Sequence, residues 1–139
     1  MNDYQKTEQK LRRLKADPVG SKYAEEIDTC LHEMFTEHDV SVETLATRLN
    51  LSGSQLRRIT QVYFGMAPNQ YIMHYRLRES VRILKADPRT KLSTLAEQCG
   101  FFDHAHFSHA FLRYFGQTPR QYARGKREKL VQNVQKACV

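Results

Sequence analysis

The sequence lacks the residue patterns on which most enzymes and membrane proteins depend. Its three cysteines form no Cys-x-x-Cys pair, and it has no glycine-rich phosphate loop and no nucleophile elbow. No pair of carboxylates stands in an apolar setting suited to general acid–base catalysis. No run approaches the ~18 consecutive apolar residues of a membrane-spanning helix, and the N-terminus does not resemble a signal peptide. We therefore expect no enzyme activity and no cofactor, and an odd number of unpaired cysteines suits the reducing cytoplasm.

Acidic residues are scarce after the first forty positions. Residues 1–40 carry six Lys and Arg against nine Asp and Glu, a net charge of −3, whereas residues 41–103 carry +4 and residues 104–139 carry +6. A basic surface confined to one part of a chain is typical of a phosphate-binding face. The alternative is a solvated basic surface without a partner, which would be favoured if the sequence held no nucleic-acid-binding pattern.

The most informative pattern in the chain is a duplication. The segment at 64–71 (FGMAPNQY) returns at 115–122 (FGQTPRQY), an offset of 51 residues, and the tripeptide at 44–46 (TLA) returns at 94–96, an offset of 50. One extra residue near Phe101 reconciles the two offsets. With 139 residues the chain suits one domain or two small fused ones, and the duplication predicts two copies of one structural unit.

Each copy contains the signals of a tight turn between two short helices. In the first copy an apolar-periodic segment ends at Asn50, and Ser52 opens the next helix. In the second copy Ser93 starts the segment, Gly100 ends it and Asp103 caps the second helix. Asn and Gly tolerate the left-handed backbone that ends a helix, while Ser and Asp accept hydrogen bonds from the first amides of the next one.

The second helix of each copy has a 3.6-residue apolar period. Its apolar positions are Leu56, Ile59, Thr60 and Tyr63 in the first copy and Phe107, Ala110, Phe111 and Tyr114 in the second. Gly65 and Gly116 end these helices, and Pro68 and Pro119 suit the first turn of the next ones. Each copy is therefore predicted to be a helix-turn-helix unit.

The residues opposite the apolar stripe are the candidates for contacting DNA. They are Ser54, Gln55, Arg57, Arg58 and Gln61 in the first copy and His104, Ala105, His106, His109 and Arg113 in the second, where Ser108 and Leu112 share the outward face. Arg pairs with guanine and Gln with adenine, whereas Ser and Ala let the backbone approach or contact a thymine methyl. We expect the first helix to be the stronger base reader and the second to be partly pH-dependent, because histidine titrates near neutrality.

With these residues in place, the chain resembles the DNA-binding domain of the AraC/XylS family of bacterial transcription regulators, over roughly residues 22–125. The second copy contributes Leu95-Ala96, Gly100-Phe101, Asp103, Phe107-Ser108, Phe111, Phe115-Gly116, Thr118-Pro119 and Tyr122. The first copy and the segment between copies contribute Leu45-Ala46, Leu51-Ser52, Leu56-Arg57-Arg58, Gly65, Pro68, Arg76-Leu77 and Ile83-Leu84.

The resemblance implies an all-α domain of about seven helices, with two helix-turn-helix subdomains joined by a long central helix. That helix would run from about Pro68 to Lys85, with an apolar face formed by Met73, Leu77, Ser80, Val81 and Leu84. It would hold the two recognition helices about one DNA turn apart, roughly 34 Å, so that both enter successive major grooves.

Three residues depart from the family's pattern. His109 stands where the family usually has Arg, which puts guanine reading by the second helix in doubt. Ala67 stands where a Ser or Thr commonly caps the next helix, and its loss should cost about 1 kcal/mol. Asn50 stands where many members have Gly. None of the three threatens the fold.

The domain boundaries follow from the repeats and the resemblance. We expect an N-terminal linker with a short helix over 1–21, a first helix-turn-helix subdomain over 22–66, a connecting helix over 67–87, a second subdomain over 88–127 and a basic tail over 128–139. Apolar residues from Tyr23 to Phe35 set the period of the family's first helix. Because family members often attach a sensing or receiver domain ahead of it, the chain is expected to be the output domain of a larger regulator.

Several residues admit two interpretations. Asp103 either caps its helix alone or also pairs with Arg76 or Arg78. The basic run at 120–129 either contacts phosphates or is solvated. His106 and His109 could share a helix face, but a structural metal site usually needs four ligands, so no metal is expected. Most aromatic residues, including Phe64, are assigned to the core.

The function predicted from the sequence is sequence-specific binding of double-stranded DNA that regulates transcription. The alternative is a protein-interaction module that docks acidic partners such as RNA polymerase. No membrane partner is expected.

Overall fold

The computed structural model describes residues 2–14, 17–34 and 40–137, and the side chains of 2–13, 17–34 and 40–129. These residues form eight helices and no strand: α1 (Asp3–Leu14), α2 (Pro18–Glu33), α3 (Val42–Arg48), α4 (Gly53–Phe64), α5 (Pro68–Ala86), α6 (Leu92–Gln98), α7 (His104–Phe115) and α8 (Pro119–Ala137). The predicted all-α fold with two helix-turn-helix units is confirmed. The described residues contain one helix more than the seven that the resemblance implied.

The chain divides into two compact units, Met1–Arg76 and Leu77–Val139. The division falls inside α5, which is the expected connecting helix. Of the five residues predicted for the apolar face of α5, Leu77, Ser80, Val81 and Leu84 are buried and Met73 is half-buried. None of the described helices is both long and apolar enough to cross a membrane.

The core of the first unit is built by α2, α3 and α4. Their buried side chains include Ile27 and Leu31 of α2, Leu45 of α3, and Leu56 and Phe64 of α4. The buried residues of α2 (Ala24, Ile27 and Leu31) and of α4 (Leu56, Thr60 and Phe64) recur at three- and four-residue spacings, which places them on one face of each helix. Burial of this face holds the first helix-turn-helix pair together, since short helices in water depend on tertiary packing.

Helix α2 begins earlier than the sequence suggested. Asp17 accepts a hydrogen bond from the Val19 amide at 3.0 Å and caps the helix, and Pro18 occupies its first turn. Gly20, which lies in the span expected to be the N-terminal linker, is a buried residue within α2. The expectation was wrong because Asp-Pro is also the opening signal of a helix. Phe35, assigned to this helix from the sequence, lies outside the described residues.

The segment ahead of Pro18 packs into the first unit instead of only leading to it. Leu11 of α1 is 2% exposed and belongs to the same core. Lys10 Nζ donates a hydrogen bond to the Gly65 carbonyl at 2.6 Å, and the Glu8 carboxylate lies 2.6 Å from Nε2 of buried His74. Helix α1 therefore braces the C-terminal end of α4 and the first half of α5.

The second unit has a core rich in aromatic rings. Phe101, Phe107 and Phe111 are fully buried and contact one another in order, with ring centroids 5.0 Å apart in a tilted pair and 5.7 Å apart in an edge-to-face pair. Tyr122 of α8 meets Phe111 edge to face at 5.7 Å. Cys99 is also buried in this unit. The predicted basic tail continues α8 as far as Ala137.

Candidate nucleic-acid interface

The first helix-turn-helix unit is fixed by two capping boxes. Ser41 and Thr44 exchange side-chain and backbone hydrogen bonds at the start of α3, and Ser52 and Gln55 do the same at the start of α4. Between the helices Asn50 adopts a φ of 57°, the left-handed conformation that Asn tolerates. These local bonds satisfy the amides that each short helix leaves unpaired at its N-terminus.

The second unit repeats this turn with different residues. Gly100 takes the left-handed position with a φ of 77°, and Asp103 Oδ1 accepts a hydrogen bond from the His106 amide at 2.7 Å. Helix α6 begins at Leu92, and its N-cap residue Lys91 makes no side-chain cap. Ser93, expected to start this helix, therefore lies one residue inside it.

Equivalent hydrogen bonds identify the extra residue in the second copy. The Leu51 amide donates to the Ala46 carbonyl at 2.8 Å, and the Phe101 amide donates to the Ala96 carbonyl at 3.0 Å. Leu51 and Phe101 are thus equivalent, 50 residues apart. The N-caps of the recognition helices, Ser52 and Asp103, are 51 apart. Phe102 is the inserted residue, at the turn immediately before α7.

The candidate residues of α4 lie on the face opposite the core. Leu56, Thr60 and Phe64 are buried, while all five candidates are exposed: Ser54, Gln55, Arg57, Arg58 and Gln61. This arrangement leaves a face of α4 open to solvent that is polar except for Val62, which is 61% exposed. Such a face is what a helix needs to reach base edges in a major groove.

The polar side chains of α4 have different local partners. Gln55 Oε1 accepts a hydrogen bond from the Ser52 amide at 2.8 Å, so its amide oxygen is engaged in the cap. Arg57 lies 3.7 Å from the Glu43 carboxylate, across an exposed ion pair. Arg58 makes no hydrogen bond or ion pair with the residues that the structure describes. Arg58 can therefore bind a new partner without first breaking a hydrogen bond or ion pair to the described residues.

The candidate residues of α7 are likewise exposed. They are His104, Ala105, His106, His109 and Arg113, whereas Phe107 and Phe111 on the opposite face are buried. The His106 ring meets the edge of Phe101 at 5.5 Å, which ties this histidine to the core below it. Arg113 is the one Lys or Arg within α7, so this face has a weaker positive charge than the face of α4.

Two exposed apolar residues of the second unit were not among the candidates. Phe102 is 87% exposed, and Leu112 is also exposed on the outward side of α7. The helical period could not place Phe102, because it lies in the turn and outside any helix. The sequence feature that marks Phe102 is the difference of one residue between the offsets of 50 and 51.

The three histidines of α7 lie on its exposed side. No group of three or more His, Cys, Asp or Glu among the described residues is arranged to hold an ion. Among the described side chains these histidines are therefore not part of a metal-binding cluster.

Comparison with known proteins identifies the two units. A model of a helix-turn-helix domain family matches residues 45–125. The transcriptional regulator GbdR of Pseudomonas aeruginosa is 34% identical over 98 residues, covering 69% of this chain and 26% of GbdR. The activator RhaS of Escherichia fergusonii is 34% identical over 96 residues, covering 69% of this chain and 34% of RhaS. The chain thus spans about a quarter to a third of the length of these two relatives.

Solved structures agree in fold. The C-terminal domain of the two-component response regulator yesN from Fusobacterium nucleatum superposes with a TM-score of 0.66 at 27% identity, covering 73% of this chain and 98% of that domain. The DNA-binding domain of AdpA, solved in complex with a target DNA, superposes with a TM-score of 0.68 at 27% identity, covering 75% of this chain and 92% of that domain. The chain belongs to the AraC/XylS family of transcription regulators and carries its tandem helix-turn-helix DNA-binding domain.

Proposed function

We propose that this chain binds a specific sequence of double-stranded DNA through α4 and α7, which enter successive major grooves, and that it regulates transcription. The observation that carries the proposal is the exposure of all ten candidate side chains on two capped helices whose opposite faces form the cores. AdpA, whose related domain was solved with a target DNA, supports the same use of this fold here.

We expect the side chains of α4 to have different roles, because their local partners differ. Arg58 has no partner to give up within the described residues, so it is the best candidate for a bidentate contact with guanine. Arg57 shares its charge with Glu43, which suits a phosphate contact that sets register. Gln55 holds the start of the helix through its amide oxygen, and its amide nitrogen remains the donor for a base.

The outward face of α7 carries fewer charged side chains than that of α4. His104, His106 and His109 are exposed, and imidazole can donate a hydrogen bond to a base or a phosphate. Because this face has one arginine and three histidines, we expect its contribution to affinity to be smaller than that of α4.

Selection from random duplexes with the purified chain tests the proposal. We expect an enriched motif with two separate boxes. Replacement Arg58→Ala should cost about 1–3 kcal/mol on the selected site and relax the base preference in one box. The matched control is Arg13→Ala, which removes an exposed arginine of α1 and should leave the preference intact.

Two results would contradict the proposal. One is the absence of any enriched motif. The other is an equal loss of affinity for the selected and random duplexes in Arg58→Ala, because a phosphate contact weakens all sequences alike. A module that docks only acidic protein partners would give the first result, and the family assignment offers that alternative no support.

The wider setting is also part of the proposal. The relatives are longer proteins, so we propose that this chain is the DNA-binding output of a larger regulator in the cytoplasm. A sensing or receiver domain would supply the signal, and contact with RNA polymerase would convey it. Co-purification of polymerase with the full-length regulator on its operator tests the last step.

A further inference from the structure

The turn before α7 exposes an aromatic ring. Phe102 is 87% exposed, although its neighbour Phe101 is 1% exposed and Phe107 is fully buried. The first unit has no counterpart, because Ser52 follows Leu51 directly there. An exposed phenyl ring adds little to folding, so its burial in a complex would supply binding free energy that the free protein does not use.

The Phe102 ring is followed on α7 by a row of exposed residues, two of which are apolar. Ala105, His109 and Leu112 are spaced by four and three residues, which places them in one row along the helix, and all three are exposed. No acidic residue occurs in α7. The three equivalent positions of α4 are occupied by Ser54, Arg58 and Gln61, which are all polar and exposed. The two reading faces therefore differ in chemistry as well as in sequence.

Apolar side chains have one distinctive target in the major groove. Each base pair presents hydrogen-bonding groups there, but only thymine presents a methyl group. Residues at the N-terminal end of a recognition helix contact base edges, and Phe102 lies directly before the N-cap Asp103. We propose that Phe102, supported by Leu112, reads thymine methyl groups, so that the box bound by the second unit is rich in thymine. This inference rests on the proposed DNA-binding function.

Removal of the methyl group alone tests the inference. The operator is first selected from random duplexes, and the box that keeps its base preference in Arg58→Ala is assigned to α7. Each thymine of that box is then replaced by deoxyuridine, which keeps base pairing and loses only the methyl. We expect affinity for the wild-type chain to fall by about fourfold for each contacted methyl. Phe102→Ala should lose this discrimination for at least one methyl, and the double variant Phe102→Ala with Leu112→Ala should bind the thymine and uracil duplexes equally.

A matched variant separates this contact from general loss of apolar surface. Val62 is an exposed apolar residue of α4, and Val62→Ala should still distinguish thymine from uracil in the second box. The melting temperature of Phe102→Ala should equal that of the wild type, because the ring is outside the core.

Three outcomes would overturn the inference while leaving the proposed function in place. They are a selected second box without thymine, equal binding of thymine and uracil duplexes by the wild-type chain, and an unchanged preference for thymine in Phe102→Ala. The last two would fit a role for Phe102 in contacting a protein. Failure of the selection to enrich any motif would instead contradict the proposed function itself.

Discussion

Two helices of this protein begin with the same motif but differ by one hydroxyl group. At the start of α8, Thr118 Oγ1 accepts a hydrogen bond from the Gln121 amide at 3.1 Å, and Gln121 Oε1 accepts one from the Thr118 amide at 2.9 Å. At the start of α5 the Ala67 amide donates to Gln70 Oε1 at 3.1 Å. Alanine has no side-chain acceptor, and the Gln70 amide donates instead to the Ala67 backbone carbonyl at 3.1 Å. The capping box is complete in one copy and half-made in the other.

Completing the box at α5 should stabilise the first unit. We expect Ala67→Thr to raise the free energy of unfolding by about 1 kcal/mol, because Ala67 is exposed and a hydroxyl there can accept from the Gln70 amide. Urea unfolding followed by circular dichroism measures the change. Thr118→Ala is the reverse control and should cost a similar amount, whereas equal stabilities for Ala67→Thr and the wild type would count against the cap.

The helix caps are the features of individual residues that the sequence predicts best. Ser52, Asp103, Gly65 and Gly116 occupy the cap positions that the sequence predicts, because capping depends on neighbours within four residues. The role of Gln55 in the cap was missed, although Ser followed three residues later by Gln is the sequence signature of a capping box. The outward position of Gln55 suits a base contact as well as a cap, so its place in the helical period predicts the first role without excluding the second.

At the scale of the element, α1 is the part of the fold that local signals could not place. Leu11 is buried in the first core, and Lys10 reaches the Gly65 carbonyl 55 residues further on. A cation at a helix C-terminus is favourable because it faces the negative end of the helix dipole. Helical period predicted that the segment is a helix, but not which surface it covers, because no repeat or cap links it to α4.

Loss of the Leu11 side chain should therefore destabilise the first unit. We expect Leu11→Ala to lower the free energy of unfolding by about 2–5 kcal/mol, the usual cost of a cavity at a buried leucine. Arg12→Ala, at an exposed neighbour on the same helix, should change it by less than about 0.5 kcal/mol. Similar unfolding midpoints for the two variants would mean that α1 is a linker after all.

Helix α8 carries a row of arginines whose role the sequence left open. Arg120, Arg124 and Arg127 are exposed and line one shallow depression together with Glu128. Their spacing of four and three residues puts the three guanidinium groups on the same face. A concentrated row of this kind suits the DNA backbone, since phosphate contacts need charge and reach but no base reading.

Salt dependence distinguishes a phosphate contact from a solvated row. The double replacement Arg124→Ala with Arg127→Ala should reduce the slope of log K against log salt by about 2, because each lost phosphate contact lowers it by about 0.9. Base preference should stay the same. The control removes two arginines of α1, Arg12→Ala with Arg13→Ala, and identical slopes for both double variants would assign the α8 row to solvent.

At the scale of the whole molecule, both helix-turn-helix units lie in the basic part of the chain. Residues 41–139 contain both helix-turn-helix units and are basic, whereas residues 1–40 have a net charge of −3. We expect two DNA-binding units on one chain to gain affinity without new contacts, because binding of the first raises the effective concentration of the second. A single chain can then recognise a site with two boxes.

The spacing between the two boxes tests this use of both units. Insertion of five base pairs between the boxes turns one of them to the opposite side of the duplex, since B-DNA repeats every 10–10.5 base pairs. We expect the affinity of the chain for this duplex, measured by fluorescence anisotropy, to fall to that of a duplex with one box scrambled. The expected loss is about 100-fold or more, the usual gain from linking two sites. A scrambled duplex of the original length provides the reference. If affinity were the same at every spacing, the second unit would contribute nothing to recognition, and the sequence preference would have to come from one recognition helix alone.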